Sequence, residues 1–251
     1  MTHRDLFSVF TVASVRLENP STRTLFFDRS LMDIQPGQFV MAWLPGVGEK
    51  PFSVSGDDPL ALTIADVGSV SHALNQLNPG DRVWIRGPLG QGFSLNSQRS
   101  LLVGGGYGAA PLFLLAQHAR REGVDVSVVL GAKTRGELIM TAAFESIGCR
   151  VSLATEDGSA GLHGMVTAAL EQAYHEILPD GLFACGPAGM LMAVAQFAQK
   201  RNVPAQLSFE ALIRCGVGLC GSCELSEETC LKLGISAGFL VCHDGPVMHL
   251  P

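Results

Sequence analysis

The sequence is poor in charged residues, in tryptophan and in tyrosine, and it has no excess of positive charge. Charged residues make up 16% of the 251 residues, and 17 Lys and Arg face 23 Asp and Glu, which gives a formal net charge of −6. General nucleic-acid binding depends on neutralising phosphates, so this balance argues against it. Because 47% of the residues are hydrophobic, the chain is not disordered, and it is long enough for two modest domains with buried cores.

The sequence also lacks an apolar signal peptide and a credible membrane span. Charged residues interrupt residues 1–20, where a signal peptide would need an apolar core. Residues 101–117 and 181–199 carry no Asp, Glu, Lys or Arg. Both contain glycines and a proline in the order of a buried strand, a turn and a helix, which predicts elements of a globular domain rather than spans. We therefore expect a cytoplasmic protein without a membrane span.

Glycine and clustered cysteine are what the sequence has in quantity. It contains 29 glycines, and five of its 7 cysteines lie between Cys215 and Cys242. In a cytoplasmic protein, cysteines crowded in this way are more often metal ligands than a disulfide framework.

Residues 1–97 predict a small antiparallel β-barrel. Short runs rich in β-branched and aromatic residues alternate with turn signals, as expected of closely spaced antiparallel strands. A helix is predicted over residues 69–77, and strands are predicted over residues 7–17, 22–27, 38–44, 60–64 and 83–85.

From residue 98 onward, strands alternate with helices, which predicts right-handed βαβ units and a parallel sheet. The predicted strands are residues 100–103, 124–130, 150–155 and 181–184, and the predicted helices are residues 110–121, 137–147, 165–176 and 189–201. The alternation stops after Gln206. The chain is thus predicted to be an α+β multidomain protein, with an N-terminal antiparallel β-barrel at 1–97, an α/β parallel-sheet nucleotide-binding domain at 98–206 and a small C-terminal cysteine-rich segment at 207–251.

The cysteines of that segment have the spacing C-x4-C-x2-C, from Cys215 through Cys220 to Cys223, followed later by Cys242. This is the plant-type spacing for a [2Fe–2S] cluster, in which four thiolates bind two irons. The glycines between them allow the backbone to fold closely around a cluster, and their N–H groups can donate hydrogen bonds to sulfur.

Other uses of these cysteines are less consistent with the pattern. A structural zinc site would favour two C-x2-C pairs, and the sequence has one. A Rieske centre needs paired cysteine and histidine ligands, and although His243 follows Cys242, the upstream loop has no histidine. Free structural cysteines would not need so many glycines. Cys230 could replace Cys242 as the fourth ligand, but we favour Cys242 because residues 241–246 predict a strand leading into a turn.

A glycine-rich turn follows the first predicted strand of the parallel sheet. Gly104, Gly105, Gly106 and Gly108 lie between that strand and a helix, where backbone N–H groups can bind a phosphate. The acidic residue that usually binds the ribose is missing after the next strand, so this is not the standard dinucleotide motif. The alternative is a turn that serves only close packing of strand and helix.

Two further segments are candidates for cofactor contacts. Cys185 ends a strand of the parallel sheet, at the edge where such sheets bind ligands, so it could meet a nicotinamide or could be a small buried apolar residue. In the barrel, the strand containing Lys50, Pro51, Phe52 and Ser53 joins a cation, a rigid proline and a hydroxyl, which could contact a flavin ring and its phosphates. Taken alone, it is also an ordinary strand.

In their order along the chain, these motifs resemble the ferredoxin–NADP reductase superfamily. Within it, they most resemble the electron-transfer subunits of NAD-dependent dihydroorotate dehydrogenase. The resemblance covers nearly the whole chain, and its most specific part is the C-terminal cysteine loop with the ending Cys-His-Asp-Gly-Pro at residues 242–246.

The resemblance implies three cofactors: FAD in the barrel, a [2Fe–2S] cluster on Cys215, Cys220, Cys223 and Cys242, and NAD as the electron acceptor. It implies further FAD contacts at Ala65, Asp66, Val67, Val70 and Ser71. It also implies a heteromer, by family analogy a heterotetramer, with an FMN-containing catalytic dihydroorotate dehydrogenase subunit of pyrimidine biosynthesis. The same FAD and cluster module could instead serve a sulfide dehydrogenase, a ferredoxin–NADP transhydrogenase, a hydrogenase or a sulfite reductase, and a zinc-stabilised nucleotide-binding regulator is the alternative of a different class.

The sequence departs from the family pattern in the barrel and in the tail. Lys50 stands where the family usually has Arg, Val70 replaces a glycine, and Ser71 replaces a threonine. A lysine keeps the positive charge but loses the two-pronged contact that arginine makes with a phosphate. The 18-residue gap between Cys223 and Cys242 is somewhat longer than expected.

Overall fold

The computed structural model describes residues 6–250. The first five residues of the predicted barrel domain and Pro251 of the predicted tail lie outside the described residues. Within the described part, two sheets organise the chain: a closed barrel and a sheet of seven strands with helices on its faces.

The barrel consists of six antiparallel strands. They are β1 (Ser8–Asn19), β2 (Thr22–Phe27), β3 (Phe39–Leu44), β4 (Gly48–Asp57), β5 (Leu60–Ala65) and β6 (Arg82–Leu89). Their spatial order is β1-β2-β5-β4-β3-β6, and a short helix, α1 at Ser69–Asn75, connects β5 to β6. The predicted antiparallel barrel is confirmed, with β2 at the predicted boundaries.

The strands of the second sheet are β7 (Arg99–Gly105), β8 (Asp125–Ala132), β9 (Arg150–Thr155), β10 (Leu162–His163), β11 (Gly181–Cys185), β12 (Ala205–Ser208) and β13 (Val247–His249). Their spatial order is β10-β9-β8-β7-β11-β12-β13, and all neighbouring strands are parallel except the last pair. The connecting helices are α2 (Ala109–Arg121), α3 (Thr141–Ser146), α4 (Val166–Ile177) and α5 (Ala188–Arg201). The predicted parallel sheet is confirmed. Because the strand order reverses between β7 and β11, a crevice opens at their carboxyl ends, which is where such sheets bind ligands.

The helix predicted over residues 137–147 is wrong at its start. The chain makes one 3₁₀ turn at Arg135–Glu137, extends at Leu138 and enters a left-handed conformation at Met140, with φ of 61°, before α3 begins. This path buries Ile139 and Met140 in the core below α2, and that burial outweighs the helical preference of the segment.

The C-terminal segment also differs from the sequence prediction. Residues 241–244 form a turn instead of a strand, because the Asp244 carboxylate accepts the N–H of Leu240 and the Leu240 carbonyl accepts two N–H groups in return. The strand comes later, as β13, which pairs antiparallel with β12 and extends the sheet beyond Gln206. A helix that was not predicted, α6 at Glu227–Leu233, begins at Ser226, whose hydroxyl accepts the N–H of Thr229.

None of the helices within residues 6–250 combines the length and the apolar character needed to cross a bilayer.

The barrel and the parallel sheet meet along α2. Leu114 is fully buried and belongs to the hydrophobic core of the barrel, although it lies on a helix of the sheet domain. One turn further along α2, Nε2 of His118 lies 2.7 Å from Oδ2 of Asp57 at the end of β4. Apolar packing and a hydrogen bond between side chains therefore hold the two sheets together along this helix.

We predict that Leu114→Ala lowers the free energy of unfolding by about 2–5 kcal/mol, because it removes a fully buried side chain and leaves a cavity between the two domains. Chemical denaturation measures this change. Leu17→Ala is the control, since Leu17 is 63% exposed on β1, and it should change stability by less than about 0.5 kcal/mol. Equal effects of the two substitutions would contradict the role assigned to Leu114.

Candidate functional site

Four cysteines of the predicted motif lie together at one side of the molecule, as two pairs. Cys215 lies near Cys220, close enough for one thiol to affect the pKa of the other, and Cys223 lies in the same way beside Cys242, whose backbone N–H donates to Sγ of Cys223. All four are free cysteines. Within residues 6–250, no three His, Cys, Asp or Glu side chains converge closely enough to hold one metal ion. The arrangement is therefore two adjacent pairs instead of four ligands around a single point.

Backbone N–H groups of the loop point at these sulfurs. The N–H of Gly218 lies 3.2 Å from Sγ of Cys242, that of Leu219 lies 3.4 Å from Sγ of Cys215, and that of Cys242 lies 3.4 Å from Sγ of Cys223. Gly218 has a φ of +74°, and a Cβ there would lie 2.9 Å from Cβ of His243. A glycine is required at this position to bring the N–H close to the sulfur.

The environment of the thiols differs from one end of the loop to the other. A hydrogen bond from the Ser222 side chain lowers the pKa of Cys220 to about 6. Burial opposes ionisation of Cys215, but N–H groups that include that of Val217 outweigh it and lower its pKa. Burial, followed by the hydrogen bond with the Cys223 thiol, raises the pKa of Cys242 to about 12. The exposed end of the loop thus favours the thiolate, which is the form that binds metals.

Cys230 lies on α6, and its thiol faces a backbone carbonyl. The residue is buried, and its thiol is 3.9 Å from the carbonyl oxygen of Leu225. Its surroundings are those of a small apolar core residue.

A cavity of about 250 Å³ lies between the barrel and the carboxyl ends of the parallel strands. It brings together seven of the predicted cofactor residues: Pro51, Phe52, Ser53, Ala65, Val67, Gly108 and Cys185. Residues from the segment after β12 also line it, together with Tyr107 and Pro246. The barrel strand and the sheet edge that sequence reasoning singled out separately therefore face the same space.

The other predicted barrel contacts do not line this cavity. Lys50 is exposed on β4, and Asp66 is bound to Nδ1 of His72 at 2.8 Å. Val70 and Ser71 are buried at the start of α1, where the Ser71 hydroxyl accepts the N–H of Gly68 at 2.9 Å. The hydroxyl of Ser71 is thus occupied in stabilising the first turn of the helix.

The glycines of the predicted phosphate turn have different surroundings. A Cβ on Gly105 would lie 2.7 Å from Sδ of Met190, and one on Gly104 would lie 3.0 Å from Cδ2 of Leu130, so both allow close packing. At Gly106 a Cβ would meet no atom within 4 Å, and φ is +54°. At Gly108 a Cβ would lie 2.3 Å from the carbonyl oxygen of Cys185, which leaves room for no other residue.

Sequence reasoning missed a polar pair that lines the cavity and is partly open to solvent. The hydroxyl of Tyr107 donates to Oε2 of Glu210 at 3.1 Å. Burial raises the pKa of Glu210, and burial together with the nearby Glu210 charge raises the pKa of Tyr107 to about 12. Burial also raises the pKa of Cys185 to about 12, so this thiol keeps its proton. Glu210 follows the carboxyl end of β12, a signal that was lost because the strand was not predicted.

Residues 210–250 match the model of the iron–sulfur cluster binding domain of dihydroorotate dehydrogenase B. A protein of Thermococcus kodakarensis is 37% identical over 244 residues, which is 97% of each chain, and is assigned as the electron transfer subunit of dihydroorotate dehydrogenase B (NAD+). The chain belongs to this family. Two further proteins have the same assignment. The protein of Methanopyrus kandleri is 41% identical over 85% of this chain and 78% of its own length. The protein of Methanocaldococcus jannaschii is 36% identical over 92% of this chain and 84% of its own length.

Solved structures with the same fold agree with membership of this electron-transfer family. A structure of an NADH-dependent reduced ferredoxin–NADP oxidoreductase superposes with a TM-score of 0.83 at 28% identity, covering 96% of this chain and 88% of the other. The flavohaem-like FAD/NAD binding domain of nitric oxide dioxygenase from Vibrio cholerae gives a TM-score of 0.68 at 20% identity, over 79% of this chain and 94% of that domain. The second likeness concerns the fold alone. The resemblance to the ferredoxin–NADP reductase superfamily is confirmed.

We predict that Gly108→Ala displaces the end of β11 and distorts the cavity, because the new Cβ would overlap the Cys185 carbonyl. The purified variant should retain less than about one tenth of the flavin bound by the unmodified protein, measured by absorbance per protein. Gly189→Ala on α5 is the matched control, since a Cβ there meets nothing within 4 Å. Full flavin content in Gly108→Ala would show that the contact is not needed.

Proposed function

We propose that this chain transfers electrons from an FMN-containing dihydroorotate dehydrogenase subunit to NAD, through a [2Fe–2S] cluster and FAD. The observation that carries the proposal is the shared wall between the cysteine site and the cavity. Ile213, two residues before Cys215, and Pro246, four residues after Cys242, both line the cavity that contains the predicted flavin strand. A cluster on the cysteines and a flavin in the cavity would therefore be neighbours.

The proposed cluster ligands are Cys215, Cys220, Cys223 and Cys242. A [2Fe–2S] cluster needs two thiolates for each of two irons, and two adjacent thiol pairs match that requirement better than the single point that zinc would need. The N–H groups directed at the sulfurs stabilise the negative charge of the ligands. Sγ of Cys242 accepts the N–H of Gly218 in the cysteine loop, whereas Sγ of Cys230 faces the carbonyl oxygen of Leu225, and this difference favours Cys242 as the fourth ligand.

The proposed flavin and nicotinamide sites face each other across the cavity. Phe52 and Ser53 line it from the barrel, and Cys185 lines it from the sheet. The cofactors supply the redox chemistry: FAD exchanges single electrons with the cluster and a hydride with NAD. The protein supplies an apolar cavity with a protonated Cys185 thiol, while Glu210 and Tyr107 can hold a proton within it. Lys50 and the turn Gly104–Gly108 are proposed to hold the phosphates outside the cavity.

The proposed partner surface surrounds the cysteine loop. Leu219, inside the loop, is 86% exposed, and Val217 and Leu212 beside it are also exposed. Exposed apolar side chains grouped around a redox site are typical of a surface that another protein covers. We propose that the FMN-containing subunit covers it, in a heteromer that could be a heterotetramer, in the cytoplasm.

The structural likeness to the ferredoxin–NADP oxidoreductase suggests a second candidate function. In that case the chain would serve a different oxidoreductase complex, and its partner would be an iron–sulfur or nickel–iron protein. Purification of the complex from its native source distinguishes the two. A copurifying FMN protein that oxidises dihydroorotate supports the proposal, whereas an iron–sulfur or nickel–iron partner contradicts it. A colourless chain that contains zinc and no flavin would contradict both.

We predict that Cys220→Ser and Cys242→Ser each abolish the cluster signal in electron paramagnetic resonance of the reduced protein, because each removes a ligand. The flavin should remain bound, since neither cysteine lines the cavity. Cys230→Ser is the matched control and should keep the full signal. Loss of the signal in Cys230→Ser with retention in Cys242→Ser would reverse the ligand assignment.

We predict that Leu219→Asp weakens binding to the partner subunit at least about tenfold, because it places a charge in an apolar contact. The affinity is measured by titration of the two purified subunits. Leu231→Asp is the control, because Leu231 is 81% exposed but lies on α6 and not in the cysteine loop. Unchanged affinity in Leu219→Asp would place the partner elsewhere.

A further inference from the structure

A buried arginine of the barrel is bonded to the backbone of the first cysteine of the loop. Nη2 of Arg86, on β6, donates to the carbonyl oxygen of Cys215 at 2.8 Å. The two residues are 129 positions apart in the sequence. The Arg86 side chain is 11% exposed, so its charge lies between the barrel wall and the cysteine loop.

One carboxylate accompanies this charge. Nε of Arg86 lies 2.8 Å from Oε1 of Glu49, whose side chain is 29% exposed on the neighbouring part of the barrel. The central carbon of the guanidinium also lies 5.6 Å from the centre of the Phe7 ring. Water screens this pair only partly, so its charges act over a longer distance than surface charges do.

The cysteine loop packs directly on this part of the barrel. A Cβ on Gly216 would lie 3.1 Å from Cδ1 of Leu89, on the same strand as Arg86, and 3.3 Å from Cγ of Met41, which pairs with Arg86 from β3. Apolar contact alone would hold the loop at this place. A buried cation is expensive compared with an apolar side chain of similar size, so packing does not account for it.

A charge next to an iron–sulfur cluster changes its reduction potential. Reduction adds one negative charge to the cluster, so a nearby cation stabilises the reduced form and a nearby carboxylate destabilises it. We propose that Arg86 raises, and Glu49 lowers, the reduction potential of the cluster, so that this ion pair sets the potential. The inference rests on the proposed function, because it requires a cluster on Cys215 and its partners.

The test is a redox titration of the purified full-length protein, followed by electron paramagnetic resonance. Arg86→Gln should lower the midpoint potential, with a change of about tenfold in the one-electron reduction equilibrium, or about 59 mV. Glu49→Gln should raise it, and the double variant should lie near the unmodified protein. Arg86→Lys should restore most of the potential, because it keeps the charge.

Arg82→Gln is the matched control, since Arg82 begins the same strand, is exposed and pairs with β1 instead of the loop. It should leave the potential unchanged. If Arg86→Gln and Glu49→Gln both moved the potential in the same direction, a disturbance of the fold and not the charge would be the cause. That result would overturn the inference. So would an unchanged potential in Arg86→Gln. An unmodified protein with iron and no cluster signal would overturn the proposed function itself, which separates the two failures.

Discussion

The contact between the last turn of the barrel and the end of the chain determines the position of both candidate sites. The N–H of Gln91 donates to the carbonyl oxygen of Gly245, and a Cβ on Gly90 would lie 2.6 Å from that oxygen. On the other side of the same segment, the N–H of Phe209 donates to the carbonyl oxygen of Pro246 at 2.9 Å. The end of the chain is therefore held between the barrel and the extension of β12. Cys242 lies three residues before this junction, so the junction fixes it beside the other cysteines.

The second constraint is the close approach of two backbones at the sheet edge. Gly108 lies directly on the carbonyl of Cys185, while Leu114 on the following helix enters the core of the barrel. One helix thus packs its first turn on the sheet and a later turn on the barrel. The width of the cavity between the two domains therefore depends on how α2 packs against each of them.

The sequence was sufficient for the architecture because each domain has its own local pattern. The boundaries of β2 and β9 were predicted without error, and the spacing of the cysteines indicated a metal-binding loop. Local patterns failed where burial overrode them. Residues 137–140 are not helical, because their path buries Ile139 and Met140. The strand β13 has only three residues and forms because it pairs with β12, which lies far away in the sequence.

The functional residues that sequence reasoning missed are those whose partners are distant in the chain. Tyr107 meets Glu210 across 103 positions, and Arg86 meets Cys215 across 129. No motif contains both members of either pair, and periodicity does not show which distant residues meet. The four cysteines were found because three of them are close in sequence. The glycines between them supported the prediction, since they allow the backbone to fold closely around a cluster.

The two sites have opposite electrostatic character, and this difference follows from how each is built. The cavity lies between two apolar cores, so burial raises the pKa of Cys185, Tyr107 and Glu210. The cysteine loop is an irregular segment at the surface, where backbone N–H groups that no helix or strand uses can point at sulfur. A largely apolar cavity suits the ring of a cofactor, while a loop rich in donors suits anionic ligands. Placing one loop against the wall of one cavity allows a short chain to hold both environments next to each other.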